Sequence, residues 1–294
     1  MKTQNSMTRS GAGLCLALGL LLAAAGAQAQ NYQITGHVNT LASTFAPGPR
    51  EDLTRTEHFN WMDRPEAQVP QSLAARVDGS NGGYGWASLE ASMGRLKAFA
   101  ESAYPSGIPA PHYYGYSFGT AQATFADTVQ VQGAGLALGA PVRYELLLWI
   151  EGQISQPSFE MGGHLAVDGL AEIRLTDRTS NTQKIFSWNA KTQSTGWYSL
   201  ALDTEVGHSL MVSGMLYASA SVDSSATLAR WAQSDFSHTA NFYLRPSVAA
   251  LNTVGASGHD FTVSAVPEPS SAALLALGLL GLGLRLQQRR RPQS

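Results

Sequence analysis

The sequence has very little cysteine. Cys15 is its one cysteine among 294 residues, and it lies in an apolar stretch near the N-terminus. The rest of the chain therefore excludes a disulfide framework, a cysteine nucleophile and thiolate ligands for zinc. A folded body in this protein has to be stabilised by packing and hydrogen bonds alone.

Charged side chains are scarce as well, at 14% of the sequence. Six of the 19 Lys and Arg residues lie in the first 29 or the last 29 positions, whereas only Glu268 of the 21 Asp and Glu residues does. Residues 30–265 thus hold 13 basic and 20 acidic side chains. This acidic balance excludes nucleic acid as a partner, because binding to phosphates depends on Lys and Arg.

The N-terminus has the composition of a secretory signal peptide. Lys2 and Arg9 form a basic start, residues 11–25 are apolar, and Ala27 and Ala29 form an A-x-A cleavage site. This order predicts a signal peptide over residues 1–29. We therefore expect export through the Sec machinery and cleavage by signal peptidase after Ala29.

Three features follow one another at the C-terminus. A proline motif separates the tail from the preceding chain, because proline fixes φ and lacks a backbone donor; it consists of Val266, Pro267, Glu268 and Pro269. Residues 270–284 carry no charge and predict a short transmembrane helix. Its anchoring leucines include Leu274, Leu277, Leu280 and Leu284. A basic stop follows, made of Arg285, Arg289, Arg290 and Arg291, and it disfavours the alternative of a buried core helix.

This tripartite tail resembles the PEP-CTERM sorting signal over residues 266–294. Proteins with that signal are substrates of exosortase, a membrane-embedded cysteine transpeptidase-like protease of Gram-negative bacteria that make exopolysaccharide. The resemblance implies transient anchoring in the inner membrane, with the body outside and the arginines in the cytoplasm. It further implies cleavage near the proline motif and delivery to the cell surface or the extracellular matrix of a biofilm.

Between the two ends, apolar residues alternate with polar ones in one short run after another. Residues 142–150 and 208–222 show the pattern most clearly, and glycine, serine and asparagine turns separate the runs. The pattern predicts an all-β fold, an antiparallel β-sandwich of the jelly-roll type, over residues 82–265. Residues 30–81 are expected to form an irregular N-terminal arm that contains a first strand.

Four local expectations accompany this fold. Residues 44–70 are rich in proline and charge and predict a long loop, and residues 226–233 are a modest helical candidate. Residues 184–188 and 197–202 are expected to pair with each other, and residues 142–150 to form a central strand because they are the most hydrophobic.

No set of residues predicts a catalytic site or a metal site. Glu145, Glu151 and Glu160 could supply the two carboxylates of a glycosidase, but no spacing links them, and surface acids are the plainer interpretation. The turn formed by residues 78–82 offers oxygen atoms to calcium, yet it lacks the acid spacing of an EF-hand loop. A glycine-rich turn without metal is the alternative there, and no cofactor is expected.

Aromatic side chains are the remaining candidates for a binding site. Tyr113, Tyr114 and Tyr116 follow a proline-rich connection, so they could present flat rings to a carbohydrate. Four other rings are candidates that could equally belong to the core, namely Trp149, Trp188, Trp197 and Tyr198.

Taken together, these patterns predict a non-enzymatic exported protein with a structural or interaction role at the surface or in the exopolysaccharide. A carbohydrate-binding module is the second hypothesis, and a polysaccharide hydrolase or lyase is the third.

Overall fold

The computed structural model describes residues 31–45, 51–80, 82–104, 114–155, 165–224 and 230–262. Twelve strands and a short 3-10 helix, Pro65–Gln68, lie within these ranges. The strands are β1 (Tyr32–Phe45), β2 (Glu51–Met62), β3 (Gln71–Asp78), β4 (Tyr84–Ser92), β5 (Arg95–Tyr104), β6 (Tyr114–Gln130), β7 (Pro141–Ser155), β8 (Leu165–Asp177), β9 (Thr182–Asn189), β10 (Gly196–Glu205), β11 (Ser209–Ser224) and β12 (Arg230–Pro246).

The strands form two six-stranded antiparallel sheets, as the predicted β-sandwich requires. The first sheet has the order β2-β1-β6-β11-β8-β9, and the second has the order β10-β7-β12-β5-β4-β3. In the chain from β5 to β12, β5 pairs with β12, β6 with β11, β7 with β10, and β8 with β9. This nested pairing is the winding of a jelly roll, and β1 to β4 widen both sheets by two strands.

The period-two pattern divides each strand between the core and the solvent. In β7, Tyr144, Leu146, Leu148 and Ile150 are fully buried, while the residues between them are partly exposed. Rings from the two sheets meet in the core, where Phe125 of β6 lies 4.9 Å from Phe242 of β12 between ring centroids. One continuous apolar core therefore replaces the missing disulfides.

The backbones of β4 and β6 approach each other closely at two glycines. A methyl group on Gly119 would overlap the carbonyl of Trp86, and one on Gly85 would overlap the carbonyl of Phe118. Glycine is required here because no side chain fits between the sheets at this crossing.

Several local expectations were wrong. The predicted loop over residues 44–70 contains β2, which pairs with β1 along its whole length. The helical candidate is strand from Arg230 onward, because these residues pair with β5 and Trp231 points outward while Ala232 points inward. Residues 226–229 lie outside the described ranges.

Two expectations about sheet position were also wrong. The segments expected to pair with each other belong to different sheets, since β9 pairs with β8 and β10 with β7. The hydrophobic strand β7 is second from the edge of its sheet and not central, since β10 forms the edge beside it. Its apolar residues are explained by the core, which covers one of its faces.

A closing segment after β12 seals one end of the sandwich. Its Ser257 donates a hydrogen bond from Oγ to Asp127 Oδ2 over 2.5 Å, and Asp127 is fully buried in β6. Burial raises the pKa of Asp127, although bonds from Ser257 and Thr128 oppose the shift. Tyr32 lies opposite Asp127 in the register of β1 and β6, so the first strand and the closing segment both meet β6 at Asp127.

The predicted signal peptide and the predicted transmembrane helix both lie outside the described residues. Among those described, no helix is long and apolar enough to cross a membrane.

Candidate functional site

Three aromatic side chains form a cluster on the outer face of the second sheet, which we call the ring platform: Trp149 of β7 and Tyr243 of β12, both half-buried, and Trp197 of β10, which is exposed. The ring centroids of Trp149 and Trp197 are 5.2 Å apart, and those of Trp197 and Tyr243 are 5.7 Å apart. Trp197 is 53% exposed. Three neighbouring strands thus supply one continuous aromatic surface.

Strand register brings these rings together. Trp149 lies directly opposite Trp197 on one side and Asn241 on the other, while Leu147 lies opposite Tyr243. Directly opposite residues on an antiparallel pair share one face of the sheet. Leu148 and Phe242 point into the core. Successive side chains of a strand point to opposite faces, so the next residues, Trp149 and Tyr243, point to solvent.

Polar groups of both charges surround the ring platform. Asn241 lies between Trp149 and Arg95 in the register of three strands. Arg245 donates from Nε to Glu145 Oε2 over 2.9 Å. This hydrogen bond from Arg245, followed by one from Ser199, lowers the pKa of Glu145 and keeps its carboxylate ionised.

Flat rings beside amide and hydroxyl groups suit ligands that have both apolar faces and hydroxyl groups. Aromatic faces contribute apolar contact area, and a few polar side chains fix the orientation of the ligand. The ring platform is open to solvent and not a closed pocket, so it favours a ligand that lies along a surface.

The three tyrosines singled out in the sequence do not join this platform. Tyr113 and the side chain of Tyr114 lie outside what the structure describes. Tyr116 is 39% exposed on β6 of the first sheet, with its ring 5.8 Å from that of Phe118. A carbohydrate contact at these tyrosines stays a prediction, on the other sheet of the sandwich.

The other candidate rings divide between surface and core. Trp149 and Trp197 are in the ring platform, whereas Trp188 is 1% exposed and donates from Nε1 to the carbonyl of Ser194. Tyr198 stacks on Phe186 of the facing sheet at 5.3 Å. Tyr243 was missed, although its position between the apolar Phe242 and Leu244 indicates an outward side chain.

The candidate acids do not form a catalytic pair. Glu145 and Glu151 are six residues apart on one face of β7, which is about 20 Å along a strand. Glycosidases need about 5–10 Å between the two carboxyl groups. Glu160 lies outside the described ranges.

One G-x-S-x-G spacing, which is typical of serine hydrolases, runs from Gly115 to Gly119. Its Ser117 lies inside β6 and not at a strand-to-helix turn. The side chain is fully buried, and its Oγ lies 2.7 Å from Ser102 Oγ. Ser117 therefore has a structural role between the sheets and is not accessible to a substrate.

The turn considered for calcium joins β3 to β4. The Asp78 carboxylate accepts bonds from Arg76 Nε and Nη2, the shorter over 2.7 Å. Asn81 lies outside the described ranges, so the two alternatives for this turn, a glycine-rich turn without metal and a calcium site, both stay open. Within the described part of the chain, no three His, Cys, Asp or Glu side chains converge as metal ligands would.

Comparison with known proteins identifies the C-terminus. Residues 265–291 match the family described as the PEP-CTERM protein-sorting motif, which confirms the predicted sorting signal. No curated protein sequence matches the chain. A solved structure of carbohydrate-binding modules from the β-sandwich superfamily, described for their promiscuous specificity, is similar at 9% identity and a TM-score of 0.18, over 70% of this chain and 85% of that one. So low a TM-score carries no argument about a ligand.

Proposed function

We propose that this chain, which carries a PEP-CTERM sorting motif and is therefore an exported protein targeted to exosortase, binds polysaccharide without cleaving it. The observation that carries the proposal is the ring platform, in which the exposed Trp197 and the half-buried Trp149 and Tyr243, from three strands, lie within 6 Å of their neighbours. A protein that only filled space in a matrix would not need two large apolar side chains at solvent-facing positions.

The sorting motif indicates where in the cell the protein would carry out the proposed function. In this proposal the signal peptide directs export, the C-terminal helix holds the body outside the inner membrane, and exosortase then transfers or releases it. The body would reach the cell surface or the exopolysaccharide around it. The polymer made by the same cell is accordingly the ligand to test first.

The surroundings of the ring platform support binding over hydrolysis. Glycoside hydrolysis needs one carboxyl group that keeps its proton and a second carboxylate nearby. Glu145 is next to the platform, but Arg245 lowers its pKa. This is the wrong direction for a general acid.

The test measures retention of the processed, full-length mature protein on exopolysaccharide isolated from its producer. We expect Trp197→Ala to weaken retention at least tenfold, or about 1.4 kcal/mol, because it removes the most exposed ring of the platform. Ile185→Ala, which removes a side chain 44% exposed on the first sheet, is the matched control and should leave retention unchanged.

Other outcomes would separate the remaining hypotheses. Loss of retention in Tyr116→Ala and not in Trp197→Ala would move the site to the tyrosines of the first sheet. Shortening of the polymer by the wild-type protein, abolished in Glu151→Gln, would indicate a hydrolase. If the wild-type protein is not retained at all, the binding proposal is wrong and a structural role remains.

A further inference from the structure

A second group of rings lies on the same outer face of the second sheet. We call it the distal patch, and it comprises Trp86 of β4, Phe99 of β5 and Trp231 of β12. Trp86 is 36% and Trp231 42% exposed, and the ring centroids of Trp86 and Phe99 are 4.7 Å apart. Two large apolar side chains at solvent-facing positions again have no role in the core.

Polar side chains lie next to Trp86 in the distal patch. Glu101 lies opposite Trp86, and Tyr84 is on the next outward position of β4. The Tyr84 hydroxyl donates to Glu101, and the Arg76 guanidinium lies 4.3 Å from the Tyr84 ring centroid. Burial, followed by the bond to Glu101, raises the pKa of Tyr84 to about 12, so its hydroxyl keeps its proton.

The charges on this part of the face are compensated. Arg76 pairs with Asp78 over 2.7 Å, and Lys97 pairs with Glu90 over 3.3 Å. Groups of both signs also stand near the ring platform. Glu101 and Asp235 add further acidic groups to this face, so it has no excess of positive charge that would attract an anionic ligand.

The register of the strands places the distal patch diagonally across the sheet from the ring platform. Across the sheet, Trp149 of β7 and Trp86 of β4 are three strands apart, which is about 14 Å. Along the strands, Trp149 is level with Arg95 of β5 and Trp86 is level with Glu101, and these two positions are about 20 Å apart. The two clusters are thus about 25 Å apart.

A shallow groove lies between the two clusters along the strand axis. Its volume is about 470 Å³, and its lining includes Ser72, Ser88, Lys97 and Ser237. Ser237 belongs to the irregular stretch of β12 between Phe236 and Ala240, where the register shifts against β5. The groove thus offers hydroxyl groups and the charged side chains of Glu90 and Lys97 beside Phe99 of the distal patch.

We propose that the ring platform and the distal patch are the two ends of one track, which binds an internal stretch of a long, uncharged polysaccharide chain. This inference rests on the proposed function and names the class of ligand. A short oligosaccharide contacts one cluster only, whereas a chain that reaches both clusters gains the second contact as an intramolecular step.

The experiment uses exopolysaccharide of the producer, cut by partial acid hydrolysis and separated by size. For the wild-type mature protein we expect the affinity to rise at least tenfold, in one step, once fragments are long enough to span both clusters. The double variant Trp86→Ala/Trp231→Ala should lose this step and keep the affinity for short fragments. Trp197→Ala should lower the affinity for short and long fragments alike, and Ile185→Ala should match the wild type.

Three results would overturn the track. The first is an affinity that does not depend on fragment length while Trp197→Ala still weakens binding; the proposed function would then stand alone. The second is a distal double variant that binds long fragments as the wild type does. The third is binding that falls steeply from low to high salt, which indicates a charged ligand. If no fragment binds to the wild type, the proposed function fails as well.

A conservative variant guards against misfolding as the explanation. Trp86→Tyr/Trp231→Tyr keeps a ring at both positions and should restore most of the length-dependent step. Equal thermal unfolding temperatures for the alanine and tyrosine variants would show that the loss comes from the rings and not from the fold.

Discussion

At the scale of single residues, Asp177 is a buried carboxylate that accepts several hydrogen bonds. It ends β8, is 1% exposed, and accepts bonds from His208 Nδ1 and Thr204 Oγ1, each over 2.7 Å. It also accepts from the backbone N–H groups of Thr179 and Ser180, which closes the turn to β9. Burial opposes ionisation, but these hydrogen bonds outweigh it and hold the pKa of Asp177 well below its usual range.

This pKa predicts how Asp177 contributes to stability as the pH changes. Because its pKa is lower in the folded state than in the unfolded state, its contribution is complete above about pH 4 and decreases as the pH falls toward the folded-state pKa. We expect Asp177→Asn to lower the free energy of unfolding at pH 7 by about 1.5–3 kcal/mol, and to make stability depend less on pH below pH 4. Urea unfolding at several pH values measures both effects.

Asp203→Asn is the matched control, because the Asp203 side chain is 81% exposed and lies 3.7 Å from Arg143. It should change the free energy of unfolding by less than about 0.5 kcal/mol. Equal losses in the two variants would contradict a special role for the buried carboxylate.

At the scale of elements, the crossing of β4 and β6 determines how closely the two sheets pack. A methyl group at Gly119 meets the backbone carbonyl of Trp86, and a backbone atom cannot move away as a flexible side chain can. We expect Gly119→Ala to lower the free energy of unfolding by about 3 kcal/mol, the upper part of the range for overpacked cores. Chemical denaturation followed by tryptophan fluorescence measures the loss.

A glycine in open space separates crowding from backbone strain. Gly135 has φ of +76°, and a methyl group added to it would meet no atom within 4 Å. Gly135→Ala should therefore cost only about 1–2 kcal/mol of conformational strain. A Gly119→Ala protein as stable as the Gly135→Ala protein would show that the sheets can separate at little cost.

The strands also show where the local sequence pattern was sufficient to predict secondary structure and where it was not. The alternation in residues 142–150 and 208–222 correctly predicted β7 and β11, because one face of each strand is core and the period is local. The edge strand β2 was missed, since most of its residues are exposed on both faces and its strand conformation depends on pairing with β1. Residues 226–233 were predicted to be helical because Leu228 and Trp231 are three positions apart, and this spacing does not reveal that a neighbouring strand pairs with Trp231.

At the scale of the whole molecule, the two ends of the chain are predicted to direct where the body goes. The described body begins beside Asp127, at Tyr32, and its closing segment returns to the same residue through Ser257. We expect mass spectrometry of the surface or matrix material to find a product that begins at Gln30 and ends near the Pro267-Glu268-Pro269 motif. A product that begins at Met1, or that keeps the C-terminal arginines, would contradict this maturation.

The anchoring step has its own prediction. An arginine near the middle of a transmembrane helix costs about 2.5–3.5 kcal/mol, whereas each leucine favours insertion by about 0.5 kcal/mol. Leu279→Arg should therefore cancel most of the insertion energy of residues 270–284 and leave unprocessed protein in the soluble fraction. Leu279→Phe is the control, and unchanged fractionation of the arginine variant would count against a membrane anchor.

The sequence by itself determined the C-terminal sorting motif and the fold class. Signal peptides, sorting tails and strand alternation are local patterns, so each can be recognised without knowing what else the chain contacts. Only the tertiary structure decided which residues form a site, because Trp149, Trp197 and Tyr243 are far apart along the chain and meet through the pairing order of three strands. That order depends on which faces pack together in the core, and no local pattern contains it.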